Sequence, residues 1–294
     1  MVRSDLIEIS DRGDPRIASF VSIRERDLTG GTNGRFIVEG KVPLSILLER
    51  SRFEVESLFL CETRLEPLRP IFEQVPAGVP IYVAPQALMD EIVGFPIHRG
   101  VLACAKKGEA LSLDQVLSAH PGAGRDLVQQ SPEAPMEIPG QARDTRKVLL
   151  VLNQISNHDN VGAAFRNAAA FGADGVLLDA GSCDPLYRKA IRVSSGASLW
   201  LPYHHGGTGA EHITALKAAG FDIWAMTPRA TAEPLYTLPV PQKLAILLGA
   251  EGAGLPEALI ATSRAVKIPM RAGFDSINVA TAGAIALSYA ADPA

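Results

Sequence analysis

An excess of charge of either sign is missing from this chain of 294 residues, in which 28 Lys and Arg stand against 32 Asp and Glu. Residues 1–110 carry 14 cations and 16 acids, and residues 111–294 carry the same numbers, so each part is net −2 and neither has a basic tail. A field of global charge, the usual footprint of a nucleic-acid binder, is thereby excluded, and any nucleic acid must be held by local patches and by shape. Cysteine is scarce as well. Cys61, Cys104 and Cys183 are odd in number and far apart, which excludes a disulfide scaffold and zinc-site spacing, and reduced core cysteines are expected. No stretch approaches the roughly 20 uncharged apolar residues of a membrane span. The opening, MVRSDLIEISDRGDP, mixes charges of both signs without an apolar run. A soluble, cytoplasmic protein without a membrane or metal partner is therefore expected.

What is present is enough apolar material, 47% hydrophobic against 20% charged residues, to fill two cores. Short apolar runs alternate with helical patterns over 36–40, 43–50, 55–60, 65–75, 81–84, 87–93 and 101–105, which describes a small α/β domain within residues 1–110. Residues 111–146 are taken as a linker, since 120–145 is rich in Pro, Gly and polar residues and lacks apolar periodicity. A second series fills 147–294. It opens on KVLLVLNQ, whose near-continuous apolar character suits a strand covered on both faces. Helices are expected over 161–171, 186–194, 211–219 and 276–290, and strands over 176–179, 199–203, 221–226 and 243–249. Alternation at this spacing implies a mainly parallel sheet, with ligands where loops leave the carboxyl ends of its strands.

Three segments of the second series carry residues that core packing alone does not require. In NQISNHDNVGAAFRNAAAFGADGVLL, Asn160 stands where a helix cap is expected, and Arg166 is one cation in a helix of Gly and Ala. A helical side chain leans back over the preceding turn, so Arg166 has an open path toward Asn160. In LAILLGAEGAGLPEALIATSRAVKIPM, a strand runs into Gly249, Gly252 and Gly254 with Glu251 among them, so backbone can approach a ligand beside one carboxylate. The spacing is neither a dinucleotide fingerprint nor a P-loop. In FDSINVATAGAIALSYA, Ser276 is expected to cap a helix, which leaves Asn278 in want of another partner. Taken singly, each segment also fits an ordinary cap or turn. The adjacent His204 and His205 lack a third ligand at metal spacing and are given no function.

The ordered set N‑x‑G‑x‑x‑x‑R, G‑x‑E‑G‑x‑G‑L, I‑P‑M and S‑I‑N‑V resembles the SpoU (TrmH-type) branch of the SPOUT methyltransferases, over residues 147–291. Between the first two, R‑V‑S‑S‑G‑A at 192–197 is similar to the family's R‑x‑S‑x‑G‑A turn. F‑I‑V‑E‑G at 36–40 and H‑R‑G‑V‑L‑A at 98–103 resemble an L30e-like substrate-binding domain, although Arg99 replaces the usual glutamine and the connection at 120–145 is longer than usual.

The resemblance implies an α/β SPOUT domain whose parallel sheet ends in a deep trefoil knot, a topology that general rules would otherwise reject. It implies S-adenosylmethionine as cofactor, contacted at Gly249, Gly254, Ile268, Met270 and Ile277, and Arg166, Asn160, Glu251, Ser276 and Asn278 as the catalytic polar set. It implies methylation of a ribose 2′-hydroxyl, on ribosomal RNA of the 23S type ahead of tRNA, by a homodimer. Because a guanidinium stays protonated in proteins, Arg166 is expected to grip a phosphate and stabilise the developing alkoxide instead of serving as base. Glu251 is left as proton acceptor or structural partner. Arg188, Lys189 and Arg192 form either a cationic face for RNA or a solvated helix face. The other readings are a catalytically silent RNA-binding protein and an oxidoreductase, the latter disfavoured by the glycine spacing.

Overall fold

In the computed structural model, residues 6–23, 34–119, 146–271 and 273–291 are described. The expected connection at 120–145 lies outside them. The chain forms two compact units, one of Met1–Glu109 with Leu186–Trp200, the other of Ala110–Pro185 with Leu201–Ala294.

The first unit is built on a five-stranded mixed sheet of order β1-β4-β3-β5-β2, from β1 (Leu6–Glu8), β2 (Arg35–Glu39), β3 (Val55–Cys61), β4 (Ile81–Ala84) and β5 (Val101–Lys106). Its helices are α1 (Lys41–Arg50), α2 (Leu65–Phe72) and α3 (Gln86–Val93). Ile17, Phe20, Phe59, Met89, Ile92 and Leu102 fill one core, with the Phe20 and Phe59 rings 5.4 Å apart. The segment Leu186–Trp200 belongs to this unit because side chains tie it there. On α6 (Arg188–Val193), numbered after α4 and α5 below, Arg188 donates to Glu39 at the end of β2 and lies 4.8 Å over the Phe95 ring. Arg192 reaches the same carboxylate at 3.6 Å, and Ser51 Oγ donates to the Leu199 carbonyl at 3.1 Å. Two cations of the expected RNA-facing set are therefore paired with an acid of their own unit.

The second unit holds seven strands, all parallel, in the order β10-β12-β9-β11-β6-β7-β8. They are β6 (Lys147–Leu152), β7 (Gly175–Leu178), β8 (Tyr203–His205), β9 (Asp222–Met226), β10 (Glu233–Pro234), β11 (Lys243–Leu248) and β12 (Arg264–Lys267). Every residue of the central β6 is buried, as its continuous apolar run implies for a strand covered on both faces. On one face Leu149, Val151, Leu177, Ala245 and Leu247 pack with α7 (Gly209–Ala218) and α8 (Glu257–Ala261) through Ile213, Leu216 and Leu259. Elsewhere α5 (His158–Ala170) meets α9 (Val279–Ala290), where Asn167 Nδ2 donates to the Ala280 carbonyl at 2.9 Å. Gly283 lets α9 lie on β11, since a Cβ there would sit 2.8 Å from Leu248 Cδ1.

Residues 111–119 and 199–203 are among the stretches that depart from the expectation. Residues 111–119 are not linker: α4 (Leu113–Ser118) starts in a capping box between Ser112 and Gln115 and buries Val116 completely against the sheet. Its last carbonyls accept from the buried Lys147 ammonium, with Leu117 O at 2.6 Å, and burial pushes that ammonium's pKa below its usual value. The strand expected at 199–203 is instead a 3₁₀ turn at Ala197–Leu199 followed by β8. Gly196 takes a left-handed φ of 84°, and Pro202, which has no N–H to donate, accepts from Val176 N at 2.9 Å.

Candidate active site

The three adjacent strands β12, β9 and β11 end at a cavity of about 480 Å³, where ligands of parallel sheets belong. Gly249, Gly254, Ile268, Met270 and Ile277, the five residues expected at a cofactor, all line it, together with Glu251, Ser276 and Asn278. Asn160 and Arg166 do not.

The loop after β11 is shaped by backbone. Gly254 N donates to the Ala250 carbonyl at 2.9 Å, closing a turn in which Gly252 and Gly254 have φ of 81° and 69°. Gly249 is glycine because the returning chain leaves no room: a Cβ there would stand 2.5 Å from Leu255 N and 2.7 Å from Gly254 O. Leu248 O also accepts from Asn153 N at 2.9 Å, which joins the ends of β11 and β6.

Around Glu251 the three sequence segments meet. Glu251 Oε1 accepts from Asn160 Nδ2 and, at 3.4 Å, from Asn278 Nδ2; Asn278 Nδ2 also donates to Asn160 Oδ1 at 3.0 Å. Asn160 is buried, with 6% exposure, and lies inside α5, which is capped by Asn157 through a bond from Asp159 N at 2.8 Å. The cap of α9 is Asn278, whose Oδ1 accepts from Ala280 N at 2.9 Å and Thr281 N at 3.2 Å. Both expected caps, Asn160 and Ser276, are thus corrected. Asn278 does two jobs with the two ends of one amide, its oxygen capping its own helix and its nitrogen reaching α5.

Arg166 is exposed and makes no hydrogen bond or ion pair among the described residues. The expected contact with Asn160 is absent for a geometric reason. Six residues at about 100° each place Arg166 some 120° round the helix from the face that Asn160 presents to Glu251.

Met226, Thr227 and Pro228, at the end of β9, also form the wall and were not singled out in the sequence. The readable signal was positional, the carboxyl end of a buried parallel strand. Among the described residues no Lys or Arg lines the cavity. The cation next along the chain, Arg229, is held in a two-pronged pair by Glu257, at 2.9 and 2.5 Å, and this keeps the Glu257 carboxyl below the usual carboxylate range. The histidines form no metal cluster among the described residues. His204 Nδ1 contacts the Leu111 carbonyl at 2.8 Å and His205 Nε2 the Ser182 carbonyl at 3.0 Å. All three cysteines are free, with Cys61 and Cys104 buried and Cys183 partly so. No helix among the described residues is long and apolar enough to cross a membrane.

Comparison with known proteins bears on this geometry. A model of the SpoU rRNA Methylase family matches residues 147–288. Over 290 residues the chain is 35% identical to an uncharacterized tRNA/rRNA methyltransferase of Mycobacterium bovis, covering 96% of this chain and 90% of that one. It is 28% identical over 257 residues to the 23S rRNA (guanosine-2′-O-)-methyltransferase RlmB of Shewanella oneidensis, covering 85% and 94%. The AdoMet-bound rRNA methyltransferase from Sinorhizobium meliloti shares the fold, with a TM-score of 0.73 over 97% of each chain at 20% identity.

Proposed function

Since the chain belongs to the SpoU family of RNA methyltransferases, we propose that it methylates a ribose 2′-hydroxyl of RNA with S-adenosylmethionine as donor. The observation that carries the reading is the character of the cavity. Its volume, about 480 Å³, falls in the range of small-molecule and cofactor sites. Backbone at Gly249–Gly254 and apolar walls from Met226, Leu248, Ile268 and Ile277 suit a flat base and a thioether chain, and among the described residues the only charge on the wall is the Glu251 carboxylate. Such a wall favours a cationic sulfonium ligand and disfavours the pyrophosphate of a dinucleotide, which wants donors and positive charge.

Bound there, S-adenosylmethionine supplies a methyl group on a positively charged sulfur, which an aligned oxygen can take directly. The chain's own work is alignment and charge. Glu251, Asn160 and Asn278 hold the β11 loop, α5 and the start of α9 in one arrangement, and Glu251 acts structurally, its Oε1 already accepting two amide N–H groups. Arg166, without a hydrogen bond or ion pair among the described residues, grips the phosphate beside the target ribose and stabilises the alkoxide that forms as the hydroxyl proton passes to phosphate or water.

The substrate is RNA because only RNA offers the 2′-hydroxyl, and an unstacked nucleotide of large-subunit ribosomal RNA is the preferred target, as the likeness to the Shewanella oneidensis enzyme supports. The first unit holds that RNA in the manner of an L30e-like domain, and the reaction takes place in the cytoplasm. A trefoil knot at the cofactor loops belongs to the same reading. So does a homodimer: α9 offers small apolar residues, and an Arg166 turned from its own cavity can serve that of a second copy, an arrangement light scattering tests. Titration of the purified protein decides the cofactor. S-adenosylmethionine is expected to bind and NAD not to; tight NAD binding without S-adenosylmethionine binding would overturn the proposal.

A further inference from the structure

Met270 and Ser276 both line the cavity, and five residues separate them. A loop with both feet on the rim cannot carry its tip far from it, since each residue spans at most about 3.6 Å. Of this loop Arg271, Gly273, Phe274 and Asp275 are described, and all are exposed. Phe274 is 72% exposed, more than any other large apolar side chain among the described residues. Its amide donates to the Arg271 carbonyl at 3.3 Å, and Gly273, at φ 91°, has no neighbouring atom within 4 Å of where a Cβ would stand. Phe274 is therefore tied by one backbone bond to Arg271 and follows a glycine with open space beside it.

A single exposed apolar residue commonly needs no explanation. Phe274 differs in its company: Ile277, on the same loop and 36% exposed, forms part of the cavity wall, and the Arg271 side chain makes no ion pair among the described residues. An exposed aromatic ring two residues from the wall of a site, with a cation three positions before it in the chain, is the equipment that holds an unpaired base and its phosphate. A net-acidic protein has particular need of it, since stacking draws on no global field.

Resting on the methyltransferase reading, we propose that Phe274 is a stacking platform for an unpaired RNA base next to the target ribose, with Arg271 meeting a neighbouring phosphate. A second copy of the chain is the less suitable occupant, because Arg271 and Asp275 flank the ring and the cores of such interfaces are depleted in charge.

The test compares Phe274→Ala and Phe274→Tyr with the unaltered full chain in methyl transfer to unmodified ribosomal RNA. Phe274→Ala raises KM for RNA about 10-fold, with kcat within about twofold and cofactor affinity unchanged, and Phe274→Tyr restores KM. An unchanged KM overturns the proposal, and so does a rise in KM that accompanies dissociation of an oligomer. A second measurement does not depend on turnover: fluorescence of Phe274→Trp, read against the unaltered chain, during titration with a short single-stranded oligoribonucleotide. Quenching supports stacking even if no RNA accepts a methyl group, in which case the methyltransferase reading falls alone; no quenching overturns the platform.

Discussion

Replacing Gly249 by alanine tests the β11 loop with one methyl group. The added Cβ would lie 2.5 Å from Leu255 N, 2.6 Å from Gly254 C and 2.7 Å from Gly254 O, all of them backbone atoms with no rotamer to escape into. Ordinary contact begins near 3.4 Å, so Gly254 and Leu255 must retreat by about 0.9 Å, and the turn that faces the cavity moves with them. Overpacking of this kind costs about 1–3 kcal/mol. The free variant relieves that strain by displacing the loop, and binding must restore it, so the cost appears as S-adenosylmethionine affinity weakened about 5- to 150-fold. Gly252→Ala is the control: it has open space on every side and only a left-handed φ of 81° to tolerate, worth about 1–2 kcal/mol of backbone strain. Calorimetric titration with cofactor, beside thermal unfolding, reads both effects. If Gly249→Ala binds as tightly as the unaltered protein and melts at the same temperature, the loop does not form the cofactor wall.

Other perturbations separate the remaining parts. Asn278→Asp keeps the cap on α9 but sets a carboxylate against Glu251 Oε1 and Asn160 Oδ1, so methyl transfer falls at least about 10-fold while helicity by circular dichroism is unchanged; full activity would sink the network. Arg166→Lys loses the planar two-pronged grip and drops kcat without changing cofactor affinity, and a variant with full turnover contradicts the proposed role. Burial, and next to it the charge of His204, pushes the pKa of His212 below its usual value. Below about pH 6.5 the unfolded imidazole takes up a proton that the folded one refuses, so stability is lost as pH falls through that region. His212→Phe should flatten this dependence in urea unfolding at pH 5.5 and 7.5, and an equal slope in both proteins rules it out.

Most of the framework was legible because continuous apolar runs such as 148–152 and 244–248 become the buried centre of a parallel sheet. What escaped was short or half-polar: β1 is an edge strand of three residues, and β12, read as R-A-V-K, is a strand through its pairing with β9 and not through its composition. At the site, the residue types and their gathering were legible, but the geometry was not. Asn160 and Ser276 read as caps because capping is a local rule. That Asn157 and Asn278 hold those positions, while Asn160 turns inward to Glu251, is decided by contacts 91 and 118 residues apart in sequence. Met226–Pro228 carries no motif at all; only the end of a strand marks it.

Loss and restoration of a single ribose methyl group test the proposed activity most directly. Ribosomal RNA and tRNA from cells with and without this gene are scanned for 2′-O-methyl riboses, and RNA from the second is incubated with purified protein and labelled S-adenosylmethionine. One ribose, in large-subunit ribosomal RNA, should lose its methyl group without the gene and regain label in vitro. No lost site, together with no transfer of label to unmodified RNA, would contradict the assignment and leave a silent RNA-binding protein as the better description.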